Sequence, residues 1–253
     1  MGKSKACLDY DLYGNGTEVV LLHGFLESPS IWNSFIKASK SHFKLINIRL
    51  PNHDPLESKY FPVDLDTQAE QLHYTLNQIG IHSPVLIGHS LGGYLALEYI
   101  KKYFPHTSGL ALVNSTCFAD DKEKKKQRNR AIRLMESHPK MFIQMAIKNL
   151  FKSNHHSIYQ DTITHLIQEA QKLPIPAVQA SLIAMRDRKS SCEFLKNYTK
   201  KKLLLSGKED PLIPSSHSET MATHIKTLIL ESGHMSWLED SESMVQALIR
   251  FLE

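Results

Sequence analysis

The chain has 253 residues, of which 42% are hydrophobic and 22% are charged, with a formal net charge of +4. These values are typical of one sizeable globular domain, with or without an inserted subdomain. The cysteines Cys7, Cys117 and Cys192 lack the spacing of metal ligands, so we expect neither a metal site nor a disulfide framework. The N-terminus has no apolar signal-peptide core, and no stretch approaches about 18 apolar residues. We therefore expect a cytoplasmic protein without stable membrane association.

Short apolar runs that are typical of buried β-strands recur along the chain. They predict strands at Ala6–Leu12, Glu18–Leu22, Lys44–Ile48, Val85–Gly88, Gly109–Asn114, Lys202–Ser206 and Thr227–Leu230. Several are apolar almost throughout, which is typical of parallel strands that are covered on both faces. Helical patterns lie between them, at about 31–40, 64–80, 92–103, 215–223 and 240–252. This alternation predicts an α/β fold with a mostly parallel sheet flanked by helices.

The segment 116–190 has no strand pattern. It contains predicted helices at Asp121–Ser137, Lys140–Phe151, His156–Gln171 and Ala177–Asp187. We therefore predict a core formed by residues 1–115 and 191–253, into which 116–190 is inserted as a helical cap. Such a cap would cover the carboxyl edge of the sheet, where open α/β sheets bind ligands.

The segment Lys122–Arg130 (KEKKKQRNR) carries a dense run of basic residues. Nucleic-acid-binding surfaces usually interleave aromatic residues with the basic ones, and this run has none. The run is therefore interpreted as a solvated helix face, and no nucleic-acid partner is expected.

The segment Gly88-His89-Ser90-Leu91-Gly92 has the form G-x-S-x-G and lies between a predicted strand and a predicted helix. A chain that turns sharply from strand to helix holds the serine in a strained, exposed conformation. The N-terminus of the following helix directs free N–H groups at the same place. Ser90 is therefore the predicted nucleophile.

A serine nucleophile needs a general base, an acid that orients the base, and donors for an oxyanion. His234 follows the last predicted strand and is the predicted base. Asp210 lies in the turn after Lys202–Ser206 and is the predicted acid, with the adjacent Glu209 as the alternative. The order serine, acid, histidine is that of the α/β-hydrolases.

The predicted oxyanion donors are two backbone N–H groups. Leu91 directly follows the nucleophile, and Phe25 lies in His23-Gly24-Phe25-Leu26, directly after an earlier predicted strand. His23 is interpreted as a structural residue of that loop rather than as a catalytic one.

The segments HGFLES, GHSLGG, SGKEDPLIP and SGHMSWLED, in this order and spacing, resemble the α/β-hydrolase superfamily, and most closely its capped esterase- and lactonase-like members. The resemblance implies a parallel-rich sheet with an antiparallel edge at its first strands, a helical cap and a Ser-His-Asp triad. We expect no metal and no cofactor. The chain departs from the family at Arg49–Asp54, where the family usually carries a glycine-rich loop, and the role of this loop stays open.

The serine of the elbow argues against similarity to haloalkane dehalogenases and epoxide hydrolases, which use aspartate there, and to dienelactone hydrolases, which use cysteine. Tyr94 stands where menaquinone-pathway synthases typically carry an arginine. The alternatives that stay open are a C–C bond hydrolase of meta-cleavage type, a menaquinone-pathway synthase-like enzyme, and a non-catalytic ligand receptor with the same fold.

The predicted substrate pocket is apolar. Its candidate residues are Leu26, Phe118, Met145, Leu212 and Met235. Because no cationic side chain is predicted in it, we expect small, largely apolar carboxylic esters or lactones as substrates, cleaved through an acyl-enzyme on Ser90.

Overall fold

In a computed structural model, which describes residues 7–56 and 61–253, the central element is a seven-stranded β-sheet. Its strands are β1 (Tyr10–Tyr13), β2 (Thr17–Leu22), β3 (Phe43–Ile48), β4 (Val85–His89), β5 (Gly109–Val113), β6 (Lys201–Gly207) and β7 (Lys226–Leu230). Their order across the sheet is β1-β3-β2-β4-β5-β6-β7, and β1 is antiparallel to β3 whereas the other neighbours are parallel. The predicted α/β fold with a mostly parallel sheet is confirmed.

Each predicted strand corresponds to one of these strands. The largest difference is at the start of the chain, where β1 begins at Tyr10, which pairs with Ile48 of β3. Ala6, the first residue of that predicted strand, lies outside the described residues.

The central strands are buried on both faces. In β5, Leu110 and Leu112 pack into the apolar core on one face of the sheet, and Ala111 and Val113 pack into the core on the other face. This alternation follows from the two-residue period of a strand. Both sets of side chains are fully buried, which explains why the strand sequences are apolar without interruption.

The helices are, in chain order, α1 (Asn33–Ser39), α2 (Leu65–Gln78), α3 (Leu91–Tyr103), α4 (Lys122–Ser137), α5 (Pro139–Lys148), α6 (Gln160–Ala170), α7 (Ile175–Asp187), α8 (Cys192–Asn197), α9 (Ser215–Ala222), α10 (Ser236–Glu239) and α11 (Ser241–Leu252). Helix α4 begins one residue later than predicted because Asp121 is its N-cap, and the carboxylate accepts the Lys124 N–H at 2.7 Å. Helices α8 and α10 span 6 and 4 residues, so neither is long enough for its sequence to show a helical period.

Helices α4 to α7 connect β5 to β6 and pack on one another and on the core. Met135 of α4, Phe142 of α5 and Leu166 of α6 are buried in the same apolar cluster as the sheet residues Leu110 and Leu112. None of the described helices combines the length and the apolar character needed to cross a membrane.

Cys117 and Cys192 form a disulfide, contrary to the expectation from the sequence. They are 75 residues apart in the chain, and the Ser191 N–H also donates to the Cys117 carbonyl oxygen at 2.8 Å. The bond therefore ties the chain before α4 to the chain after α7. No short cysteine motif encodes such a pair, because the tertiary fold alone brings the two residues together. Since disulfides are rare in the reducing cytosol, the pair also counts against the cytoplasmic location that the sequence favours.

We expect the Cys117→Ser/Cys192→Ser double variant to be markedly less stable than the wild type. Closing a loop of this length in the unfolded chain corresponds to about 4 kcal/mol in the chain-entropy model. For a protein of this size, that lowers Tm by about 8–16 °C. Thermal unfolding followed by circular dichroism measures the change, and Cys7→Ser, which removes an exposed free thiol, is the control. Alkylation of both Cys117 and Cys192 in the untreated native protein would contradict the pairing.

Candidate active site

Ser90 lies at the junction between β4 and α3 in a backbone conformation that non-glycine residues rarely adopt, with φ 50° and ψ −115°. Two hydrogen bonds hold it there: the Ser90 N–H donates to the Val113 carbonyl oxygen at 3.0 Å, and the Ser115 hydroxyl donates to the Ser90 carbonyl oxygen at 2.8 Å. The surrounding fold thus fixes the strained turn that the sequence predicts.

The glycines on either side of Ser90 allow backbone segments to approach closely. A Cβ atom on Gly92 would collide with the Leu22 carbonyl oxygen, and one on Gly88 would collide with the Gly92 carbonyl oxygen. Since real Cβ atoms do not approach backbone so closely, the turn requires glycine at both positions.

His234 lies between Ser90 and Asp210. Its Nδ1 is 2.8 Å from Asp210 Oδ2, and its Nε2 is 3.0 Å from Ser90 Oγ. An ionised carboxylate can only accept a hydrogen bond, so Nδ1 carries the ring proton in the neutral tautomer. Nε2 is then the unprotonated nitrogen that faces the serine hydroxyl, which is the arrangement in which a ring can accept a proton from it.

Asp210 is held by several donors. Its Oδ1 accepts the N–H groups of Leu212 at 2.8 Å and Ile213 at 3.0 Å, and Oδ2 accepts the Asn114 amide at 3.0 Å. Burial by itself would raise the pKa of this carboxyl, but His234 and these donors together lower that pKa below its usual range. Asp210 is therefore an anion next to the ring.

Glu209, the alternative acid, points elsewhere. Its side chain is 61% exposed and forms an ion pair with Lys152 at 2.8 Å. Of the two adjacent carboxylates, only Asp210 contacts His234.

Neither of the two predicted oxyanion donors has an acceptor within residues 7–56 and 61–253. In the loop after β2, the Gly24 N–H donates to Glu27 and the Leu26 N–H donates to His53 Nε2 at 3.2 Å, whereas the Phe25 N–H between them has no acceptor among the described residues. Leu91 is the first residue of α3, so its N–H has no partner within the helix. Both groups are available to an external oxygen.

His23 and His53 support the loop that carries Phe25. His23 donates from Nδ1 to the Gly24 carbonyl oxygen at 2.9 Å and accepts the Leu50 N–H at 3.1 Å through Nε2. His53 donates from Nδ1 to the Pro51 carbonyl oxygen at 2.9 Å while its Nε2 accepts from Leu26. His23 therefore has a structural role in this loop, and the segment 49–54 supports the loop after β2 through Leu50 and His53.

We expect the protein to lose stability as the pH falls from about 6.5 towards about 4. Burial, with a contribution from His53, lowers the pKa of His23 to about 3, and burial lowers the pKa of His53 to about 4. In this window the unfolded chain binds protons that the folded chain does not. The free energy of unfolding therefore falls by up to about 1.4 kcal/mol per pH unit for each histidine. Urea unfolding at a series of pH values measures the slope.

His53→Gln keeps an acceptor for the Leu26 N–H but removes one ionisable ring, so this variant should show a shallower slope. His82→Gln replaces an exposed histidine and serves as the control. A slope that is the same in His53→Gln as in the wild type would refute the assignment.

A second buried pair, Glu27 and His89, lies directly behind the histidine of the site. His89 Nδ1 is 2.9 Å from Glu27 Oε2, and His89 Nε2 is 2.9 Å from the His234 carbonyl oxygen. Both partners can only accept, so both ring nitrogens of His89 carry protons. Burial opposes the positive charge of His89, but Glu27 and the His234 carbonyl together raise its pKa. Burial likewise opposes the negative charge of Glu27, but the neighbouring His89 lowers the pKa of Glu27. The pair was not predicted from the sequence, although both residues lie inside the motifs that carry the site.

A cleft of about 520 Å³, counted with its open mouth, lies over Ser90. Its apolar lining comes from Phe25, Leu150, Met185, Leu212 and Ile213. Its polar and ionisable lining comes from Glu27, Ser90, Tyr94, Lys124, Arg128 and His234. Such a combination of apolar side chains and a few polar groups is typical of sites that bind small molecules.

Of the five residues predicted for the pocket, Leu212 lines this cleft. The other four predicted residues are not among the side chains that line it. Leu26 and Met235 are buried in the core, and Met145 is 47% exposed. The Phe118 ring instead packs against His217, with the ring centroids 4.4 Å apart. Apolar side chains do line the cleft, but the orientation of each helix and loop decides which ones reach it.

The interpretation of 122–130 as a solvated helix face is wrong at two positions. Lys124 and Arg128 lie one helical turn apart on the inner face of α4, and both line the cleft. Met135, further along the same face, is buried. Exposed basic residues surround this pair at Lys122, Lys125, Lys126 and Arg130. The expectation of a pocket without cationic side chains is wrong for the same reason.

In the part of the chain that the structure describes, no group of three or more histidine, cysteine, aspartate or glutamate side chains could hold a metal ion.

Two known proteins each align with 96% of this chain. This chain is 23% identical over 254 residues to the dihydrolipoyllysine-residue acetyltransferase component of the acetoin cleaving system of Pseudomonas putida, and it spans 65% of the length of that protein. It is 24% identical to the pimeloyl-[acyl-carrier protein] methyl ester esterase of Xanthomonas oryzae pv. oryzae (strain MAFF 311018), with 96% of this chain and 97% of that protein aligned.

The fold also has a close match among solved structures. A thermophilic esterase from Thermogutta terrifontis, solved with malate bound, superposes with a TM-score of 0.89 at 25% identity, covering 97% of this chain and 92% of that one. The family model described as "Alpha/beta hydrolase family" matches residues 19–247. The protein, with its strained turn at Ser90 on a mostly parallel sheet, is therefore a member of the alpha/beta hydrolase family.

Proposed function

We propose that this protein is a serine hydrolase that cleaves small carboxylic esters or lactones through an acyl-enzyme on Ser90. The observation that carries the proposal is the continuous hydrogen-bonded line from Asp210 through His234 to Ser90, with distances of 2.8 Å and 3.0 Å. The esterases among the similar proteins support an ester as the substrate.

In the proposed first step, Ser90 Oγ attacks the ester carbonyl carbon while His234 Nε2 takes the hydroxyl proton. Asp210 keeps the ring in the correct tautomer and stabilises the imidazolium. The N–H groups of Phe25 and Leu91 donate to the oxyanion of the tetrahedral intermediate. His234 then protonates the leaving alcohol oxygen, which departs and leaves the acyl group on Ser90.

In the second step, a water molecule attacks the acyl-enzyme carbonyl, and His234 accepts a proton from this water. The intermediate collapses, Ser90 regains its proton and the carboxylic acid is released. In a lactone, the leaving alcohol stays attached to the acyl group, so the product is a hydroxy acid.

We further propose that the segment 116–190 acts as a cap that supplies the upper wall of the cleft. Leu150 follows α5 and Met185 belongs to α7, and both line the cleft together with the loop residues Phe25 and Leu212. Because these walls are mainly apolar, the carbon skeleton of a small acyl or alcohol group would bind against them.

A fluorophosphonate probe tests the proposal, because it reacts with an activated serine. We expect one adduct per chain on the peptide that contains Ser90, and we expect turnover of short p-nitrophenyl esters, declining as the acyl chain lengthens. Labelling at another serine would refute the assignment of the nucleophile. Tight ligand binding without turnover of any ester would instead favour a non-catalytic receptor.

A further inference from the structure

Positively charged side chains outnumber negatively charged ones beside the cleft. Three basic side chains, Lys124, Arg128 and Arg188, lie around one carboxylate, Asp120. Arg128 Nε donates to Asp120 Oδ2 at 3.1 Å, and Arg188 Nη1 donates to Asp120 Oδ1 at 2.7 Å. Both oxygens of the carboxylate are thus occupied by arginines.

Arg188 uses most of its donors within the protein. Its Nη1 also donates to the Met185 carbonyl oxygen at 2.6 Å, its Nη2 donates to the Phe118 carbonyl oxygen at 3.0 Å, and its guanidinium lies 3.9 Å above the centroid of the Tyr94 ring. Arg188 is not among the residues that line the cleft, and three of its N–H groups already have acceptors within the protein.

Arg128 and Lys124 are different. Arg128 donates only through Nε among the described residues, so its two terminal nitrogens have no acceptor there, although its side chain is only 17% exposed. The Lys124 ammonium forms neither a hydrogen bond nor an ion pair within residues 7–56 and 61–253, and burial, followed by the nearby charge of Arg128, lowers its pKa. Arg128 has Asp120 as a counter-ion, whereas Lys124 has none among the described residues. A partly buried cation without a counter-ion is costly unless an anion pairs with it.

The other carboxylates at the site do not supply this anion. Asp210 contributes to the field at Lys124, but its oxygens are occupied by the donors described above. Glu27 is neutralised by the imidazolium of His89. The donors of Lys124 and Arg128 thus face the same cleft as Ser90 and remain available.

We propose that Lys124 and Arg128 form a subsite for an anionic group of the substrate, so that the preferred substrates are small esters or lactones whose acyl or alcohol part carries a carboxylate or phosphate. This inference rests on the proposed function and narrows its substrate class. Two cationic groups one helical turn apart can donate together to the oxygens of one such anion. The apolar wall would then hold the carbons between the anion and the ester.

Matched pairs of substrates test the subsite. Monomethyl glutarate carries the anion on the acyl side, and methyl glutaramate replaces its carboxylate with a neutral amide of nearly the same shape. The alcohol-side pair is 3-acetoxypropanoate and its amide, and 2-acetoxyethyl phosphate, with a phosphomonoester on the alcohol, distinguishes phosphate from carboxylate. We expect kcat/KM to be about 10- to 100-fold higher for the anionic member of at least one pair.

Lys124→Gln and Arg128→Gln should each reduce this preference by about 10-fold, mainly through a higher KM for the anionic ester, with a smaller effect on the neutral amide-bearing ester. Lys125→Gln is the matched control, because it removes the same charge from the same helix at an exposed position. Equal losses for Lys124→Gln and Lys125→Gln, or equal losses on anionic and neutral esters, would overturn the proposal.

Equilibrium binding keeps this test independent of catalysis. The Ser90→Ala protein should bind monomethyl glutarate or the matching alcohol-side anion in calorimetry, and adding Lys124→Gln should weaken that binding by about 10-fold. Binding without turnover by the wild type would support the subsite but refute the hydrolase. No binding of any tested anion, or equal hydrolysis of both members of every pair, would refute the subsite and leave the hydrolase standing.

Discussion

Replacing Ser90 with alanine is expected to lower kcat/KM for a short p-nitrophenyl ester by about 10⁴- to 10⁶-fold. The variant lacks the oxygen that would form the acyl-enzyme, while His234 and the N–H groups of Phe25 and Leu91 stay in place. Ser90 already has a φ of 50°, and alanine meets the same backbone cost there. The fold should therefore survive, and initial rates together with a thermal melt measure both effects.

The control for this experiment is Ser216→Ala, which removes an exposed hydroxyl from α9. Its rate should equal that of the wild type. A Ser90→Ala protein that kept more than about 1% of the wild-type rate would show that another group carries the reaction.

Asp210→Asn should lower kcat by about 10⁴-fold with little effect on the fold. The asparagine amide can donate to His234 Nδ1, which places the ring proton on Nε2. A protonated Nε2 faces Ser90 as a donor and cannot take the hydroxyl proton. The loss should therefore appear in kcat rather than in KM, which steady-state kinetics separates.

Glu209→Gln is the matched control for Asp210→Asn, since it makes the same chemical change at the adjacent residue. Glu209 is exposed and pairs with Lys152, away from His234. Its rate should stay within about twofold of the wild-type rate, as for other surface substitutions. If the two variants exchanged their effects, Glu209 would be the orienting acid instead.

The sequence alone predicted the parts of this protein that depend on short-range patterns. Continuous apolar runs such as Leu110–Val113 predicted buried parallel strands, because a strand covered on both faces has no polar side. Residues placed directly after strands predicted where reactive side chains gather, since the carboxyl ends of parallel strands share one edge of the sheet. Ser90, Asp210 and His234 each lie in a local motif of this kind, so short-range patterns are sufficient to single them out.

Sequence motifs did not reveal the Glu27–His89 pair, although each residue lies beside a predicted functional group. Glu27 and His89 are 62 residues apart in the chain, and His89 also contacts the backbone of His234. Both contacts depend on the tertiary fold. The same limit applies to Cys117 and Cys192. A motif records spacing along the chain, whereas a buried pair depends on how distant segments pack.

Helix orientation is the other property that only the tertiary structure decided. The basic run of α4 predicted a solvated face, and the packing of α4 against α5 and α7 turns Lys124 and Arg128 towards the cleft while leaving Lys125 in solvent. A helix places successive side chains about 100° apart, so its rotation against its neighbours selects which charges reach the site. The sequence by itself thus determined the fold and the candidate reactive residues, and the packing of helices α4 to α7 determined the polarity of the cleft.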